Sequence, residues 1–163
     1  MKAFLVVQVQ QVEQMIHIQE SVFIRQPVAR VFEYVTNPDN NALWQSGILE
    51  TAITSKGPFG IGSTYCCVNR FLGMQFESAG EIIAYEPNRL CSYLFTSGAV
   101  AGETRFTFES QNRGTLLTTS GRLELKHLKL AGFLVNRKAR SQARQDLQKL
   151  KRIMENGLNL SIS

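Results

Sequence analysis

The sequence predicts one α+β domain in which seven antiparallel strands curve around a single long C-terminal helix. Three observations support this fold class. Runs that alternate apolar and polar residues recur along the first 125 positions, which is the period-two pattern of half-buried strands. The later runs are separated by only a few residues, as in antiparallel hairpins. From position 128 to 155 the chain has no proline and is rich in helix-forming residues, and a helix set apart from a run of strands is typical of α+β proteins.

The composition is that of an ordinary soluble globular domain. The chain has 163 residues, 44% of them apolar and 19% charged, and this is enough to bury a core without disulfides or metals. Its three cysteines include the neighbours Cys66 and Cys67, so no evenly spaced disulfide framework exists, and we expect a reducing, cytoplasmic setting. The first apolar run covers residues 3–7, which is too short for a secretion signal or a membrane span.

The pattern of predicted strands and helices divides the chain into three parts. Residues 1–14 precede the first clear strand and are predicted to be an N-terminal extension. Residues 15–157 contain the predicted strands and helices and form the domain. Residues 158–163 are predicted to be a C-terminal tail.

The N-terminal part of the domain combines one strand with two short helices. Residues 16–24 alternate in the strand pattern, and Pro27 stands where a helix can begin without losing a hydrogen bond. Apolar residues at helical spacing follow as far as Val35, and the Asn-Pro-Asp sequence after it breaks the helix. Residues 40–44 are predicted to form a second short helical turn.

Six further strands and the long helix complete the domain. Turns that contain glycine, proline or asparagine separate the strands. Asn156-Gly157 is predicted to end the helix with a glycine in the left-handed conformation. The helix is predicted over about 128–155, and the strands near 48–54, 63–71, 74–84, 89–97, 103–110 and 115–125.

The long helix offers an apolar stripe whose side chains change in size along its length. Its N-terminal half and middle carry Gly132, Ala139 and Ala143, whereas Leu147 and other bulky residues follow in the C-terminal half. Opposite a concave sheet, the small residues allow either a closer approach of the helix or an empty space. We favour the space, because a curved sheet resists closer approach along its whole length, and an apolar cavity is the default site for a small ligand. A fully packed core is the alternative.

Ten residues are predicted to line this cavity. Trp44 is the only tryptophan, and its indole offers a broad apolar face and one N–H donor. Core packing is favoured for it, with ligand contact as the alternative. The strand residues depend on register, since a slip of one residue exchanges the two faces of a strand. The predicted lining residues are Trp44, Tyr65, Met74, Phe76, Tyr93, Phe106, Phe108, Val135, Ala139 and Ala143.

Short motifs in a fixed order resemble a known superfamily. Each motif is weak alone, and it is their order and spacing that make the set specific for a fold. They are Pro27-Val-x-x-Val-Phe-x-Tyr-Val35, Asn37-Pro38-Asp39-Asn40 with Trp44, Gly57-Pro58-x-Gly60-x-Gly62-Ser63, Tyr85-Glu86-Pro87-Asn88-Arg89-Leu90, Gly114-Thr115-x-Leu117 and Leu147-x-x-Leu150-Lys151. Over about residues 16–155 the chain resembles the polyketide cyclase/dehydrase-like branch of the START/Bet v1 helix-grip superfamily.

The resemblance implies a helix-grip fold with a deep cavity between sheet and helix. In the superfamily such a cavity receives lipids, sterols, polyketides or similar ligands, and its members include carriers, cyclases and ligand sensors. The matching motifs are mostly structural, so they do not choose among these activities.

No motif for a cofactor, a metal or a nucleophile stands out. The glycine-rich turn at 57–62 leads into a strand, whereas a dinucleotide-binding turn leads into a helix. Cys66 and Cys67 are consecutive on a strand, so their side chains point to opposite faces. His17 and His127 lack the spacing of paired metal ligands. We therefore predict no cofactor, no metal site and no catalytic residue.

Several polar residues lie on or beside strands whose register decides whether they reach the cavity. Glu77 and Glu81 are expected on the outer face, opposite the apolar residues of their strand. Five further residues could reach the cavity or its rim, although a structural role is favoured for each. They are Arg70, Glu103, Tyr65, Tyr93 and His127.

The positive charge of the chain is concentrated in the final helix. The whole chain has a net charge of +5, whereas the segment from Lys129 to Arg152 carries +7 because it has eight basic residues and one acid, Asp146. A solvated outer face is the favoured explanation. Transient contact with an anionic membrane is the alternative. Nucleic acid is not expected as a partner, because no platform of aromatic residues interleaves with the cations.

Three functions remain after these exclusions. The favoured one is binding or carriage of a hydrophobic small molecule, lipid-like, polyketide-like or isoprenoid-like, without catalysis. The second is a cyclase- or dehydratase-like enzyme that uses the same cavity, and the scarcity of inward polar residues argues against it. The third is a module that docks to a membrane or a partner through the basic helix.

Overall fold

The computed structural model describes residues 14–126 and 131–157. Its elements follow the predicted order of one strand, two short helices, six strands and a long helix. The strands are β1 (Gln14–Ile24), β2 (Ile48–Ile53), β3 (Thr64–Phe71), β4 (Met74–Glu86), β5 (Leu90–Gly98), β6 (Val100–Gln111) and β7 (Gly114–Leu125), and the helices are α1 (Val28–Thr36), α2 (Asn41–Trp44) and α3 (Gly132–Asn156). A 3-10 turn, Pro38–Asn40, joins α1 to α2.

Several predictions fall on residues that the structure does not describe. Residues 1–13 of the predicted extension, the tail 158–163, His127 and the predicted helix positions 128–130 all lie outside the described residues. Gln14, assigned to the extension, is the first residue of β1.

The seven strands form one antiparallel sheet in the order β1-β7-β6-β5-β4-β3-β2. β1 and β2, the first two strands of the chain, therefore lie at opposite edges, because the segment with α1 and α2 carries the chain from one edge to the other. The register between β4 and β5 shifts at Ala79/Gly80 and again at Ile82/Ala84, and irregularities of this kind bend a strand and increase its twist. The strong curvature creates the concave face against which α3 lies.

α3 is fastened to the β1 edge of the sheet along most of its length. Near its start, the Asn136 amide accepts a hydrogen bond from the His17 N–H and donates one to the Met15 carbonyl, both at 2.9 Å. In its middle, the Arg144 guanidinium binds both carboxylate oxygens of Glu20, at 3.1 and 3.2 Å. Lys151 donates to the Phe23 carbonyl at 2.6 Å. These contacts hold the helix at one edge of the sheet while its apolar stripe faces the concave surface.

The main core lies at the end of the domain where α3 finishes. Phe32 of α1 packs edge-on against Phe108 and Tyr85, with ring centroids 5.0 and 5.3 Å apart, a favourable arrangement for aromatic pairs. Leu147 and Leu150 of α3 are buried in the same cluster. Because bulky side chains from all the layers meet here, this end of the domain is closed.

The end of α3 differs in one detail from its prediction. Gly157 follows the helix as expected, but its φ and ψ are −63° and −14°, which is right-handed backbone rather than the predicted left-handed conformation. Its N–H donates to the Ile153 carbonyl at 3.0 Å. The last turn therefore closes with an ordinary helical hydrogen bond, which needs no special glycine geometry.

Candidate functional site

An apolar cavity of about 200 Å³ lies between the concave face of the sheet and the N-terminal and middle turns of α3. β1, β3, β4, β5, β6 and β7 contribute mainly aliphatic and aromatic side chains, the segment after α2 forms part of the rim, and α3 covers the top. The lining residues are Ile16, Ile18, Trp44, Gln45, Gly47, Ile48, Asn69, Arg70, Phe71, Phe76, Phe95, Val100, Thr104, Phe106, Thr119, Leu123, Leu125, Ala139, Gln142, Ala143, Asp146 and Leu147.

The cavity exists because α3 presents small side chains where it crosses the aromatic part of the sheet. Ala139 and Ala143 line the cavity from the helix, and Leu147, one turn after Ala143, lines it and also belongs to the closed core. A methyl group reaches far less deeply than a leucine side chain, so the sheet surface under the alanines remains uncovered. Bulk returns at Leu147 and Leu150 and ends the cavity.

Trp44 is almost completely buried in the cavity wall, with 2% of its surface exposed. α2 ends at this residue, and the indole packs edge-on against Phe106 at a centroid distance of 5.9 Å. Its Nε1–H is buried and has no hydrogen-bond partner among the described residues. A buried donor without a partner costs about 1–3 kcal/mol, so this N–H is an unsatisfied polar group within the cavity wall.

Asp146 places a carboxyl group on the same wall, although only 8% of its surface is exposed. One carboxyl oxygen, Oδ1, accepts hydrogen bonds from the Ser46 hydroxyl at 2.7 Å and from the Ser46 N–H at 3.1 Å. Burial raises the pKa of Asp146, and the two Ser46 hydrogen bonds offset only part of that effect. The site therefore holds one acid whose protonated form is favoured compared with a solvated aspartate.

Gln142 adds an amide to the part of the rim formed by Gly47 and Arg70. A side chain at position 47 would collide with the Gln142 amide nitrogen, so Gly47 is what allows the helix amide to approach the segment after α2. Arg70 is exposed at this rim, and its N–H donates to the Gly47 carbonyl at 2.9 Å. Gln142 and Asp146 thus lie where α3 faces the α2–β2 segment, and further polar side chains line the cavity from the sheet, namely Asn69, Thr104 and Thr119.

A second cavity of about 80 Å³ lies next to the first, on the side of β2 and β3. Tyr65 and Tyr93 line it, with ring centroids 5.8 Å apart in an edge-on arrangement. Gly80 makes room for Tyr65, because a Cβ at that position would come within 2.6 Å of the Tyr65 hydroxyl. Burial raises the pKa of both phenols, so both hydroxyls stay protonated at neutral pH.

Seven of the ten predicted lining residues lie on the two cavities. Trp44, Phe76, Ala139 and Ala143 line the larger one, Tyr65 and Tyr93 line the smaller, and Phe106 lines both. The structure shows that these seven residues lie in the cavity walls, and their contact with a ligand stays a prediction.

The other three predicted residues lie on neither cavity. Met74 follows the tight turn at Gly73, pairs with Phe71 at the end of the β3–β4 hairpin and is 46% exposed. Phe108 faces inward but lies in the closed core against Phe32. Val135 is buried against Ile16 in a second apolar cluster and does not face either cavity. These three placements correct the prediction, and in each case the residue lies too near one end of the domain.

The polar strand residues divide between rim and outer face. Arg70 reaches the rim of the larger cavity. Glu103 lies on the opposite face of the sheet, where it pairs with Arg105 at 3.1 Å. Glu77 and Glu81 occupy alternate positions to the inward residues of β4, such as Phe76, and so lie on the outer face.

Three polar residues of α3 and β3 in the larger cavity were absent from the predicted site: Asn69, Gln142 and Asp146. Helical spacing offered a signal for Asp146, which stands seven residues after Ala139 and directly before Leu147 on the apolar stripe. Asn69 offered none, because its face depends on the register of β3.

The described residues contain no cluster of three or more His, Cys, Asp or Glu side chains that is arranged to hold a metal ion. Within the same residues, no helix has the length and apolarity needed to cross a membrane.

Comparison with known proteins gave matches to one sequence family and to many solved structures. The profile of the family described as polyketide cyclase / dehydrase and lipid transport matches residues 15–155. No curated protein sequence matches the chain significantly.

Two solved structures illustrate the likeness in fold. A START superfamily protein from Mycobacterium smegmatis superposes with a TM-score of 0.75 at 17% identity, over 86% of this chain and 97% of that one. The Zhui aromatase/cyclase from a Streptomyces species superposes with a TM-score of 0.71 at 13% identity, over 88% of this chain and 98% of that one. At such low identity the likeness shows the fold, and this confirms the predicted START/Bet v1-like helix-grip architecture.

Proposed function

The chain belongs to the polyketide cyclase / dehydrase and lipid transport family, and from this premise we propose that it binds a hydrophobic small molecule between the sheet and α3. The molecule is lipid-like, polyketide-like or isoprenoid-like, and the protein holds or carries it without changing it. The walls are mostly apolar, so burial of apolar surface supplies the affinity, at about 25 cal/mol per Å². The few polar groups on the α3 side orient the ligand.

The observation that carries the proposal is the Trp44 Nε1–H, which is buried in the wall of an apolar cavity and has no hydrogen-bond partner within residues 14–126 and 131–157. Proteins rarely bury a polar group without a partner, and a ligand oxygen at this point would supply one. The Asp146 carboxyl and the Gln142 amide lie on the same cavity. Together these groups support a ligand that is apolar over most of its length and has at least one hydroxyl or carbonyl oxygen.

The size of the larger cavity limits the part of the ligand that it holds. An apolar cavity of about 150 Å³ accommodates benzene, and sites for drug-sized molecules typically have about 300–1,000 Å³. A cavity of about 200 Å³ thus accepts a body of one or two rings, or an alkyl segment of similar volume.

Two measurements test the binding proposal. Mass spectrometry of gently purified protein is expected to detect a co-purified apolar molecule. Titration with 2-naphthol is expected to change the fluorescence of Trp44, which is the only tryptophan and lies in the cavity wall. Absence of both signals would contradict the proposal.

A pair of variants separates cavity binding from adsorption to the surface. Ala143→Leu fills part of the cavity, and we expect it to weaken 2-naphthol binding at least about tenfold, which corresponds to 1.4 kcal/mol. Ala29→Leu makes the same change at an exposed position of α1 and is expected to leave the affinity unchanged. Equal affinity in the two variants would place the probe outside the cavity.

A second candidate function is favoured by Asp146. A buried carboxyl with a raised pKa on a cavity wall is the kind of group that donates or accepts a proton in a cyclase- or dehydratase-like reaction. If the protein is an enzyme, Asp146→Asn should abolish turnover of a polyketide-like substrate while 2-naphthol still binds. If the protein only binds its ligand, the wild type should show no turnover.

Transient contact with an anionic membrane is supported by the first turns of α3. Phe133 and Leu134 are exposed there, beside the exposed cations Arg137 and Lys138. Apolar side chains flanked by cations favour an anionic lipid surface. Sedimentation with vesicles that contain phosphatidylserine is expected to retain the wild-type protein more strongly than the variant Phe133→Ser/Leu134→Ser, and equal retention of the two would contradict the contact.

A further inference from the structure

The two cavities share a wall rather than being separated by backbone. Five side chains line both of them, so each cavity begins where the other ends. These are Gln45, Ile48, Phe95, Thr104 and Phe106. A change in one or two of these side chains would join the larger space, of about 200 Å³, to the smaller one, of about 80 Å³. The barrier between the two spaces is therefore formed by side chains, and a change in their conformation would open it.

The two aromatic residues of the shared wall are held very differently. Phe106 is buried and packs edge-on against both Trp44 and Tyr93, at centroid distances of 5.9 and 6.0 Å. Phe95 is only half-buried and has one such neighbour, Tyr65, at 6.0 Å. Phe106 is consequently fixed, and the Phe95 ring is the freer of the two.

The sheet around Phe95 adds to this freedom. Its cross-strand neighbour on β6 is Gly102, and its neighbour on β4 is Gly80. Neighbouring side chains on the same face of a sheet normally restrain each other, with Cβ atoms about 5 Å apart. No such side chain flanks Phe95 on either strand. The Tyr65 phenol, which lies over Gly80, is its main lateral contact.

The smaller cavity offers polar groups of its own. Tyr65 donates a long hydrogen bond of 3.4 Å to the Leu94 carbonyl, and Tyr93, Asn41 and Thr51 also line this space. A ligand atom that enters the smaller cavity meets hydroxyl and amide groups among mostly apolar side chains. The matching chemical group is a hydroxyl or carbonyl oxygen.

We propose that the two cavities are lobes of one ligand site divided by the Phe95 ring, and that the ligand is an elongated apolar molecule with an oxygen at its small-lobe end. Its body occupies the larger lobe under Ala139 and Ala143. Its far end displaces the Phe95 ring and reaches Tyr65 and Tyr93. This inference rests on the proposed function, because it assigns the length and polarity of the ligand to the same site.

Isoleucine methyl groups report on the two lobes separately. Ile16 and Ile18 line only the larger lobe, Ile53 lines only the smaller, and Ile48 lines both. The experiment records methyl NMR spectra of isoleucine-labelled protein with two probes, 2-naphthol and its elongated relative 6-phenyl-2-naphthol. Ile61 is exposed and serves as the internal control.

The expected result differs between the two probes. 2-Naphthol is expected to shift the Ile16 and Ile18 signals and to leave Ile53 unchanged. 6-Phenyl-2-naphthol is expected to shift all three. If the longer probe shifts Ile16 and Ile18 but not Ile53, the two-lobe inference is overturned while the proposed function stands. If neither probe shifts Ile16 or Ile18, the proposed function itself fails.

Two filling variants give a second, independent measurement. Cys67→Met adds volume to the smaller lobe only, since Cys67 lines that lobe and not the larger one. It is expected to weaken the longer probe about tenfold and to leave 2-naphthol unchanged. Ala143→Leu, in the larger lobe, is expected to weaken both probes. Equal affinity of the longer probe for Cys67→Met and the wild type would overturn the inference.

Removal of the dividing ring gives a kinetic test that does not depend on filling. A conformational change that is required for binding slows association. In Phe95→Ala the longer probe binds without displacing a ring, so its association rate constant is expected to rise about fivefold or more. Because Phe95 also lines the larger cavity, the effect is read as the ratio of the association rate constants of the two probes, which is expected to rise in favour of the longer probe. A longer probe that associates no faster with the variant than with the wild type would contradict the role of Phe95.

Discussion

The two ends of the space between α3 and the sheet are built from the same two elements and yet differ in kind. At the closed end, Leu147 and Leu150 interlock with Phe32 and Phe108 in a continuous core. At the open end, the same helix face carries Ala139 and Ala143, and the sheet opposite remains uncovered. Side-chain size along one stripe of α3 therefore decides where the space beneath the helix is filled.

This difference separates stability from function within one helix. Burial of large apolar side chains is the main favourable term in folding, and the closed end concentrates it. The open end has less buried apolar bulk and contains two buried polar side chains. These are Trp44, whose N–H has no partner among the described residues, and Asp146, which is hydrogen-bonded to Ser46. Substitutions at the two ends should accordingly have different consequences for stability and for binding.

Loss of bulk at the closed end should cost the most stability. Leu150 is fully buried in the core cluster, and Leu150→Ala removes a side chain from a place where the neighbours are too well packed to collapse. We expect a loss of about 3–4 kcal/mol in the free energy of unfolding, in line with other buried leucine truncations. Urea denaturation followed by circular dichroism measures it. A loss below about 1 kcal/mol would mean that the closed end is not tightly packed.

Added bulk should separate the two ends even more clearly. Val31 is fully buried at the closed end, and Val31→Phe is expected to cost about 1–3 kcal/mol through overpacking. Ala143→Leu at the open end enlarges a side chain that faces empty space, so its stability should stay within about 1 kcal/mol of the wild type. The same denaturation experiment compares them. Similar losses in both variants would contradict the contrast between the ends.

The acidic group of the open end should make stability depend on pH. Burial raises the pKa of Asp146 in the folded protein above its value in the unfolded chain, so the folded state binds more protons between these two pKa values. Stability attributable to this residue therefore falls as pH rises through that window, which begins near the ordinary aspartate pKa and extends above it. Unfolding free energies of the wild type and Asp146→Asn, measured from pH 4 to 7, should diverge in favour of the variant as pH rises. A difference that stays constant with pH would contradict the raised pKa.

The order of elements and the placement of the cavity followed from patterns that are local in sequence. Alternation located the strands to within a few residues, and the run of small residues on α3 indicated which part of the helix lines the cavity. Both signals work because period and side-chain size act within one element. The fold class predicted from these patterns is confirmed, and the superfamily, predicted from the resemblance of the short motifs, is confirmed by the family match.

The features that were missed depend on how separate elements meet. Helical spacing placed Asp146 beside the apolar stripe of α3, but its burial and its hydrogen bonds depend on Ser46, a hundred residues earlier in the chain. Met74 was placed in the cavity because it shares a strand face with Phe76, yet it lies beside the β3–β4 turn and is 46% exposed. The register between β4 and β5 shifts twice, and no pattern within either strand reveals this.

The smallest expected effect on stability comes from the indole N–H of Trp44. Trp44→Phe removes a buried donor that has no partner among the described residues and also removes part of a ring that packs against Phe106. The first change relieves about 1–3 kcal/mol, and the second costs a similar amount through lost packing, so the free energy of unfolding of the ligand-free protein should change by less than about 1 kcal/mol.

Affinity should respond differently, because a ligand oxygen that accepts from Nε1 loses its donor. We expect 2-naphthol, which has a hydroxyl, to bind about fivefold or more weakly to Trp44→Phe, and naphthalene, which has no oxygen, to bind the two proteins nearly equally. Isothermal titration calorimetry with both probes measures the difference. An equal loss for both would show that the indole acts through its surface alone and that its N–H plays no part in recognition.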